Sequence, residues 1–316
     1  MSDLQLLFTQ ALYTDVTKTI HREPYPVVLP SRPELSQAGR AVLITGGGTG
    51  VGYAIARAFV RAAADTVPII GRRPDVLATA SSHLEQEAKA SGTNTKILTR
   101  TCDVVRLAEV EELWTDLAAQ GIAVDVLVAN AAKFTATKPI LELGADEVWA
   151  QVEVNAKAPL YFTEKFYLQQ GEKQKFLVNV STQAIHMTSH PELIAQNIPP
   201  EKMQVISFHP GLIYGDGWKS MGLPPDPFDN GKILCINCSF TVAVNADNLY
   251  LVDLDELCGG FAVWATAKEA AFLHGRFVWA SWDVEELSTG KIRKRIDEDP
   301  YYLRASIVGL NGALRA

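Results

Sequence analysis

The chain has 316 residues, of which 47% are hydrophobic and 21% charged, an ordinary globular balance with room for one large α/β domain or two small ones. A formal net charge of −7 argues against nucleic acid or an anionic membrane as the main partner, and no apolar stretch approaches the length of a transmembrane helix. Four cysteines make no disulfide framework, and the first residues lack a basic segment followed by an apolar core, so the expected setting is reducing and cytoplasmic.

Residues 1–38 read as an N-terminal extension. Its repeated prolines, in His21-Arg-Glu-Pro-Tyr-Pro and Pro30-Ser-Arg-Pro, favour an extended lead-in that wraps over the main domain. From residue 39 to about 310, short apolar runs alternate with helical patterns. Strands are predicted at 41–45, 66–70, 96–101, 124–129, 175–180, 203–208 and 276–280, and helices at 51–63, 75–91, 107–120, 145–170 and 259–273. This alternation predicts a Rossmann-type, doubly wound parallel sheet with helices on both faces, α/β in class and a single domain. One segment, about 229–252, is apolar and β-prone where a short polar loop is expected, and reads as an insertion. It carries Cys235-x-x-Cys238. No second Cys/His pair has metal-binding spacing, so the plainer reading is two cysteines in a strand-like segment, and no metal is expected.

The turn after the first strand runs Thr45-Gly46-Gly47-Gly48-Thr49-Gly50-Val51-Gly52. Strand, glycine turn and helix in that order make a phosphate cradle: the glycines permit the tight turn and let the backbone approach a pyrophosphate at the helix N-terminus. Thr45, Gly46, Thr49, Gly50, Val51 and Gly52 are the candidate cradle residues. The second strand ends in Ile70-Gly71-Arg72-Arg73, with no carboxylate to take a ribose 2′-hydroxyl. A guanidinium suits a 2′-phosphate, so Arg72 points to NADP(H); the rival reading is a pair of solvated charges at a strand end.

The spacing Thr-Gly-x-x-x-Gly-x-Gly resembles the short-chain dehydrogenase/reductase family. Three further motifs lie in that family's order. Asp103 follows the third strand, where the resemblance implies a contact to the adenine amino group; a simple turn or cap residue is the alternative. Asn130-Ala131-Ala132 resembles the family's Asn-Ala-Gly turn beside the cofactor, with alanine in place of the last glycine. Pro210-Gly211-Leu212-Ile213 resembles the segment that holds the nicotinamide carboxamide, which implicates Ile213. Gly215 stands where the family often has threonine. The lead-in and two later segments, Gly-Gly-Phe-Ala-Val-Trp and Phe-Leu-His-Gly-Arg-Phe-Val-Trp, look like members from filamentous fungi, many of which modify secondary metabolites. The resemblance therefore implies an oxidoreductase acting on a carbonyl or alcohol of a small substrate.

The family's chemistry needs a proton donor for the developing alkoxide. The resemblance implies a tyrosine as that donor, a lysine four residues on that lowers its pKa, a hydroxyl residue and an asparagine. Asn155 matches the asparagine, with a structural helix amide as its other reading. Ser181 and Thr182 match the hydroxyl position, Thr182 being preferred. The tyrosine and lysine are absent. About 13 residues beyond the hydroxyl, and four further, the chain has Ala195 and Pro199 counted from Thr182, or Ile194 and Ile198 counted from Ser181. Only 28 residues separate Thr182 from Pro210, whereas a crossover carrying that helix takes about forty. The missing helix normally also helps to form a dimer interface, so a homo-oligomer is expected to be weakened and apolar surface left exposed. Surrogate donors near the site by topology are Tyr214, His186 and His190; His209 reads as structural.

Three functions fit this pattern: an NADP(H)-dependent oxidoreductase, a non-redox enzyme that keeps the pocket, and a module that binds NADP(H) without efficient hydride transfer. The first is adopted as the assignment by descent. The shortened crossover and the insertion share one economical explanation, a wrong splice pattern in which Gly231-Lys232 marks a missed intron start. Sequencing the transcript checks it: the expected message restores a Tyr-x-x-x-Lys helix, and an mRNA encoding this very chain rules the explanation out.

Overall fold

The structure, a computed structural model, describes residues 16–21, 23–134, 140–171, 173–181, 198–211 and 252–304. β1 (Val42–Thr45) is buried at all four positions, as a central parallel strand must be. It turns through glycines into α1 (Gly50–Arg61), which buries Ile55, Phe59 and Val60. β2 (Thr66–Gly71) leads to α2 (Pro74–Ser91). Proline opens α2, where a missing N–H costs nothing, and Gly92 closes it in the left-handed region at φ 69°. β3 (Lys96–Thr101), α3 (Leu107–Ala119) and β4 (Val126–Ala129) follow.

The helix predicted over 145–170 is interrupted. It consists of α4 (Ala145–Val152), a π turn at Glu153–Lys157 and α5 (Ala158–Leu168). The physical reason is Pro159: with no N–H it cannot donate to the Asn155 carbonyl four residues back, and the ladder widens so that Ala158 N donates to Glu153 O. β5 (Lys175–Val180) and β6 (Met203–His209) come next, then α6 (Val252–Trp264), a 3₁₀ turn at Lys268–Leu273, β7 (Arg276–Trp279), α7 (Val284–Ser288) and α8 (Gly290–Glu298). α6 starts and ends earlier than the helix predicted at 259–273, and α7 and α8 were not predicted. The candidate insertion, 229–251 of it, lies outside the described residues.

Among the described residues the sheet has seven strands, ordered β3-β2-β1-β4-β5-β6-β7, and every neighbouring pair is parallel. The fold is thus the Rossmann-type α/β architecture expected. Strand order reverses between β1 and β4, and at such a switch point the carboxyl ends of the strands open a crevice. One face of the sheet packs on α1, α2 and α6 through Ile44, Phe59, Val128, Phe208 and Phe261; the other packs on α3 and α5 through Leu43, Leu127, Phe162 and Phe166. Each such side chain contributes about 1.5–3 kcal/mol by leaving water. No helix among the described residues is long and apolar enough to cross a membrane.

The lead-in is part of this core. It forms two 3₁₀ turns, Pro26–Val28 and Pro33–Leu35, which bury Val28 and Leu35. α6 is bedded between this lead-in and α1 by adjacent glycines. A Cβ on Gly259 would lie 2.8 Å from Ala54 O and 2.9 Å from Ala58 Cβ, and one on Gly260 would lie 2.5 Å from Val28 O. Both contacts include backbone, so a methyl group can be admitted only by moving the helix. Gly260→Ala is expected to cost about 1–3 kcal/mol, read as a lower denaturation midpoint at unchanged m-value; an unaltered midpoint would show that α6 can slide.

Candidate functional site

The candidate cofactor residues meet where β1 and β4 end. Thr45 Oγ1 accepts from Asn130 N at 2.9 Å and from Ala131 N at 3.0 Å. The Asn130 amide donates back to Thr45 O at 2.9 Å and to Gly46 O at 3.4 Å. These bonds lock the turn after β4 to the glycine turn. Gly46 has φ 68°, in the left-handed region, and its N–H donates to Ile70 O of β2 at 2.9 Å. Gly52 is the tightest position: a Cβ there would sit 2.3 Å from Gly46 O and 2.5 Å from Asn130 Nδ2. The first turn of α1 is thereby pulled against the loop. Thr49 caps α1 with no side-chain hydrogen bond to it, so the first-turn N–H donors are left for an anionic group. This is the cradle that a dinucleotide pyrophosphate needs, and the residues present fit it. A cleft of about 350 Å³ opens beside it between α1 and α2, lined by Thr49, Gly50, Tyr53, Val76, Thr79 and His83 among others.

Arg72 and Arg73 are exposed just beyond β2, where Arg72 is free to meet a phosphate. Asp103 follows β3 and shapes its own turn: Oδ1 accepts from Val105 N at 3.3 Å, while its N–H donates to Glu109 Oε2 at 2.7 Å. The turn role weighed from the sequence is therefore present, and it leaves Oδ2 for a ligand. Cys102 beside it is no nucleophile, because burial, helped by Glu109, pushes its thiol up to about 12.

The candidate catalytic residues divide. Asn155 sits in the π turn and clamps the loop after β4: Oδ1 accepts from Lys133 N at 2.8 Å and Nδ2 donates to Lys133 O at 2.9 Å. Both ends of its amide are used on one backbone residue, so the side chain is a brace between the long helix and the cofactor turn. Sequence reasoning did not identify Lys133 as its partner, nor the acceptor role of Thr45. The proline at 159, four residues after an asparagine in a helix, was the available signal for the π turn. Ser181 ends β5 half-buried, its N–H donating to Phe208 O at 2.8 Å. Thr182, Ile213 and the surrogates Tyr214, His186 and His190 lie outside the described residues, as do Cys235 and Cys238.

The chain does contain a Tyr-x-x-x-Lys spacing, at Tyr161 and Lys165, that sequence reasoning passed over. It lies on α5, before β5, and both side chains bind Glu111 of α3. The Glu111 carboxylate raises the Tyr161 hydroxyl's pKa, the reverse of what a tyrosine acid needs, and also raises that of Lys165. This pair is a surface ion cluster.

His209, at the end of β6, is buried with neither ring nitrogen hydrogen-bonded. Its ring meets Trp279 edge-on at 4.7 Å. Burial lowers its pKa from 6.5 to about 4, so it is neutral at pH 7. Between those values the unfolded chain binds the extra proton and the folded one does not, so stability falls as pH drops from about 6.5 to about 4. Over pH 7 to 5 this contributes about 2 kcal/mol of lost stability. Denaturant unfolding of His209→Leu is expected to show that slope flattened; an equal slope in both proteins would place the titration elsewhere.

Comparison with known proteins gives a consistent result. A family profile described as short chain dehydrogenase matches residues 40–194. The short chain dehydrogenase/reductase AacuD of Aspergillus aculeatus is 26% identical over 92% of this chain and 96% of its own. The short chain dehydrogenase pigC of Monascus ruber is 29% identical over 86% and 88%. Among solved structures, Pseudomonas aeruginosa RhlG in complex with NADP has a TM-score of 0.62 at 16% identity, covering 78% of this chain and 97% of its own. L-sorbose reductase from Gluconobacter frateurii, complexed with NADPH and L-sorbose, has a TM-score of 0.62 at 18% identity over 78% and 96%.

Proposed function

We propose, since the chain belongs to the short-chain dehydrogenase/reductase family, that it binds NADP(H) at the carboxyl edge of its sheet and acts on a carbonyl or alcohol of a small substrate, of the secondary-metabolite kind. The observation that carries this reading is the Thr45–Asn130–Gly46–Gly52 knot, which leaves the first turn of α1 open to a pyrophosphate. The dinucleotide supplies the hydride. Gly50, Val51 and Thr49 would face its phosphates, Arg72 its 2′-phosphate, Asp103 its adenine, and Asn130 and Ile213 its nicotinamide side. Ser181 or Thr182 would orient the reacting oxygen. The RhlG complex with NADP and the sorbose reductase complex with NADPH support the same choice of cofactor.

A second reading is favoured by one specific observation. No tyrosine lies between Leu168 and Tyr214, and the one Tyr-x-x-x-Lys pair on α5 is engaged by Glu111. A chain so built binds its cofactor and turns over poorly, because losing a positioned general acid costs about 10²–10⁴ in rate.

Calorimetric titration tests the cofactor site that both readings share, and turnover separates them. NADPH is expected to bind at least tenfold tighter than NADH, Arg72→Ala to erase that difference, and Gly52→Ala to abolish binding of both. Equal affinities in the parent chain would exclude the 2′-phosphate role of Arg72. On a ketone panel, NADPH oxidation is expected to be weak; robust turnover abolished by Tyr214→Phe or His190→Ala would instead identify the surrogate acid.

A further inference from the structure

The first described residues of the N-terminal lead-in reach the carboxyl edge of the sheet at β7. Residues 281–286 follow β7 and so lie at the carboxyl edge of the parallel sheet, and the lead-in grips them with a dense set of bonds. Ile20 pairs with Trp282 in an antiparallel bridge, and His21 N donates to Ser281 O at 2.8 Å. Glu286 accepts from Lys18 N at 2.7 Å, from Thr19 N at 3.1 Å and from Thr19 Oγ1 at 2.6 Å. His21 Nε2 lies 2.6 Å from Asp283 Oδ2, while Asp283 Oδ1 caps α7 by accepting from Glu286 N at 2.7 Å. The His21 ring stacks on buried Tyr25 at 3.5 Å, and the Tyr25 hydroxyl accepts from Val284 N at 2.8 Å.

From this grip an aromatic path runs to the end of β6. Trp282 stacks on Trp279, with 6.2 Å between centroids and 8° between planes, and Trp279 meets the orphaned ring of His209. His209 immediately precedes Pro210-Gly211. Its ring is held by packing alone, while its carbonyl accepts from Ala280 N at 2.9 Å in register with Trp279, so what fixes Trp279 and the end of β7 also fixes His209 and the turn after it.

We infer that the lead-in is a positioning element for the nicotinamide end of the cofactor site, acting through Trp282, Trp279 and His209 on the Pro210-Gly211 turn. The inference rests on the cofactor reading above and assigns the lead-in no contact with the reacting atoms. It implies that the two ends of the dinucleotide answer to different parts of the chain: the adenosine end to the glycine turn and Arg72, the nicotinamide end to the lead-in.

The test uses the full chain, with 2′,5′-ADP as a probe of the adenosine end and NADPH as a probe of both. In Glu286→Ala, 2′,5′-ADP is expected to bind as in the parent chain, NADPH about tenfold more weakly, and Glu286→Gln to recover part of the loss. A readout free of ligand is the NMR titration of the His209 ring. It is expected to move from about 4 in the parent chain towards the ordinary histidine value of about 6.5 once Trp279 loosens. His21→Ala, which removes the stack and the contact to Asp283, is expected to do the same if Glu286→Ala fails to fold. Unchanged NADPH affinity and an unchanged His209 titration, with only a lower melting temperature, would overturn the inference and leave the lead-in a simple brace. A parent chain that binds neither probe would overturn the cofactor reading itself, and the nicotinamide role with it.

Discussion

The site depends on one contact with no room for a methyl group. Gly52, in the first turn of α1, touches the Gly46 carbonyl and the Asn130 amide. That contact sets where α1 begins, and so where its unpaired N–H groups point. It also explains why Asn130 faces inwards. Its amide must satisfy the carbonyls of Thr45 and Gly46 at the carboxyl end of the buried strand β1, where no water or ladder bond replaces it without cost. The hydroxyl of Thr45, 4% exposed, then serves as acceptor for two successive N–H groups of the turn after β4. A buried threonine, an asparagine and two glycines thus form one hydrogen-bonded unit in which each member fixes the next.

The same logic recurs away from the cofactor turn. α6 carries a glycine against α1 and another against the lead-in, so the lead-in, α6 and α1 make a packed series ending at the glycine loop. The lead-in in turn is tied by Gln37, whose amide donates to Leu35 O at 3.0 Å and to Thr266 Oγ1 at 2.9 Å, and by Arg32 to Glu269 at 2.9 Å. Arg32 and Glu269 are partly exposed, so their pair adds little by itself; the buried Gln37 bonds and the apolar burial of Val28 and Leu35 carry the attachment. A segment that reads as a proline-rich tail is therefore wedged among core elements.

The parallel sheet was legible because buried strands are continuous apolar runs and the glycine turn interrupts one of them with a fixed signature. The strands at 96–101 and 175–180 agree with the observed bounds to the residue. What the sequence did not disclose are the contacts that join distant parts of the chain. The bonds from Lys18 and Thr19 to Glu286 span more than 260 residues, and no periodicity encodes such a pairing. The break in the long helix was readable in principle, because Pro159 removes a specific donor, but helical propensity alone runs straight through it. Asn155 was readable as a motif position, whereas its use as a two-handed clamp on Lys133 depended on the loop geometry.

The pair Tyr161 and Lys165 shows why spacing is not chemistry. Four residues on a helix bring a tyrosine and a lysine onto one face anywhere in a protein. An acid–base pair additionally needs the lysine's charge to favour the phenolate and the face to point at the substrate. On α5 the nearest charge is the Glu111 carboxylate, which accepts from both groups, and the pair is spent on a surface ion cluster between α3 and α5. The productive version of the motif must lie after β5, where a helix descending from the carboxyl edge would look across the crevice at the residues of the cofactor turn. In this chain no tyrosine lies between Thr182 and Pro210, and what the described residues show is the sheet, the hydrogen-bonded turn after β4 and the braced loop beside it.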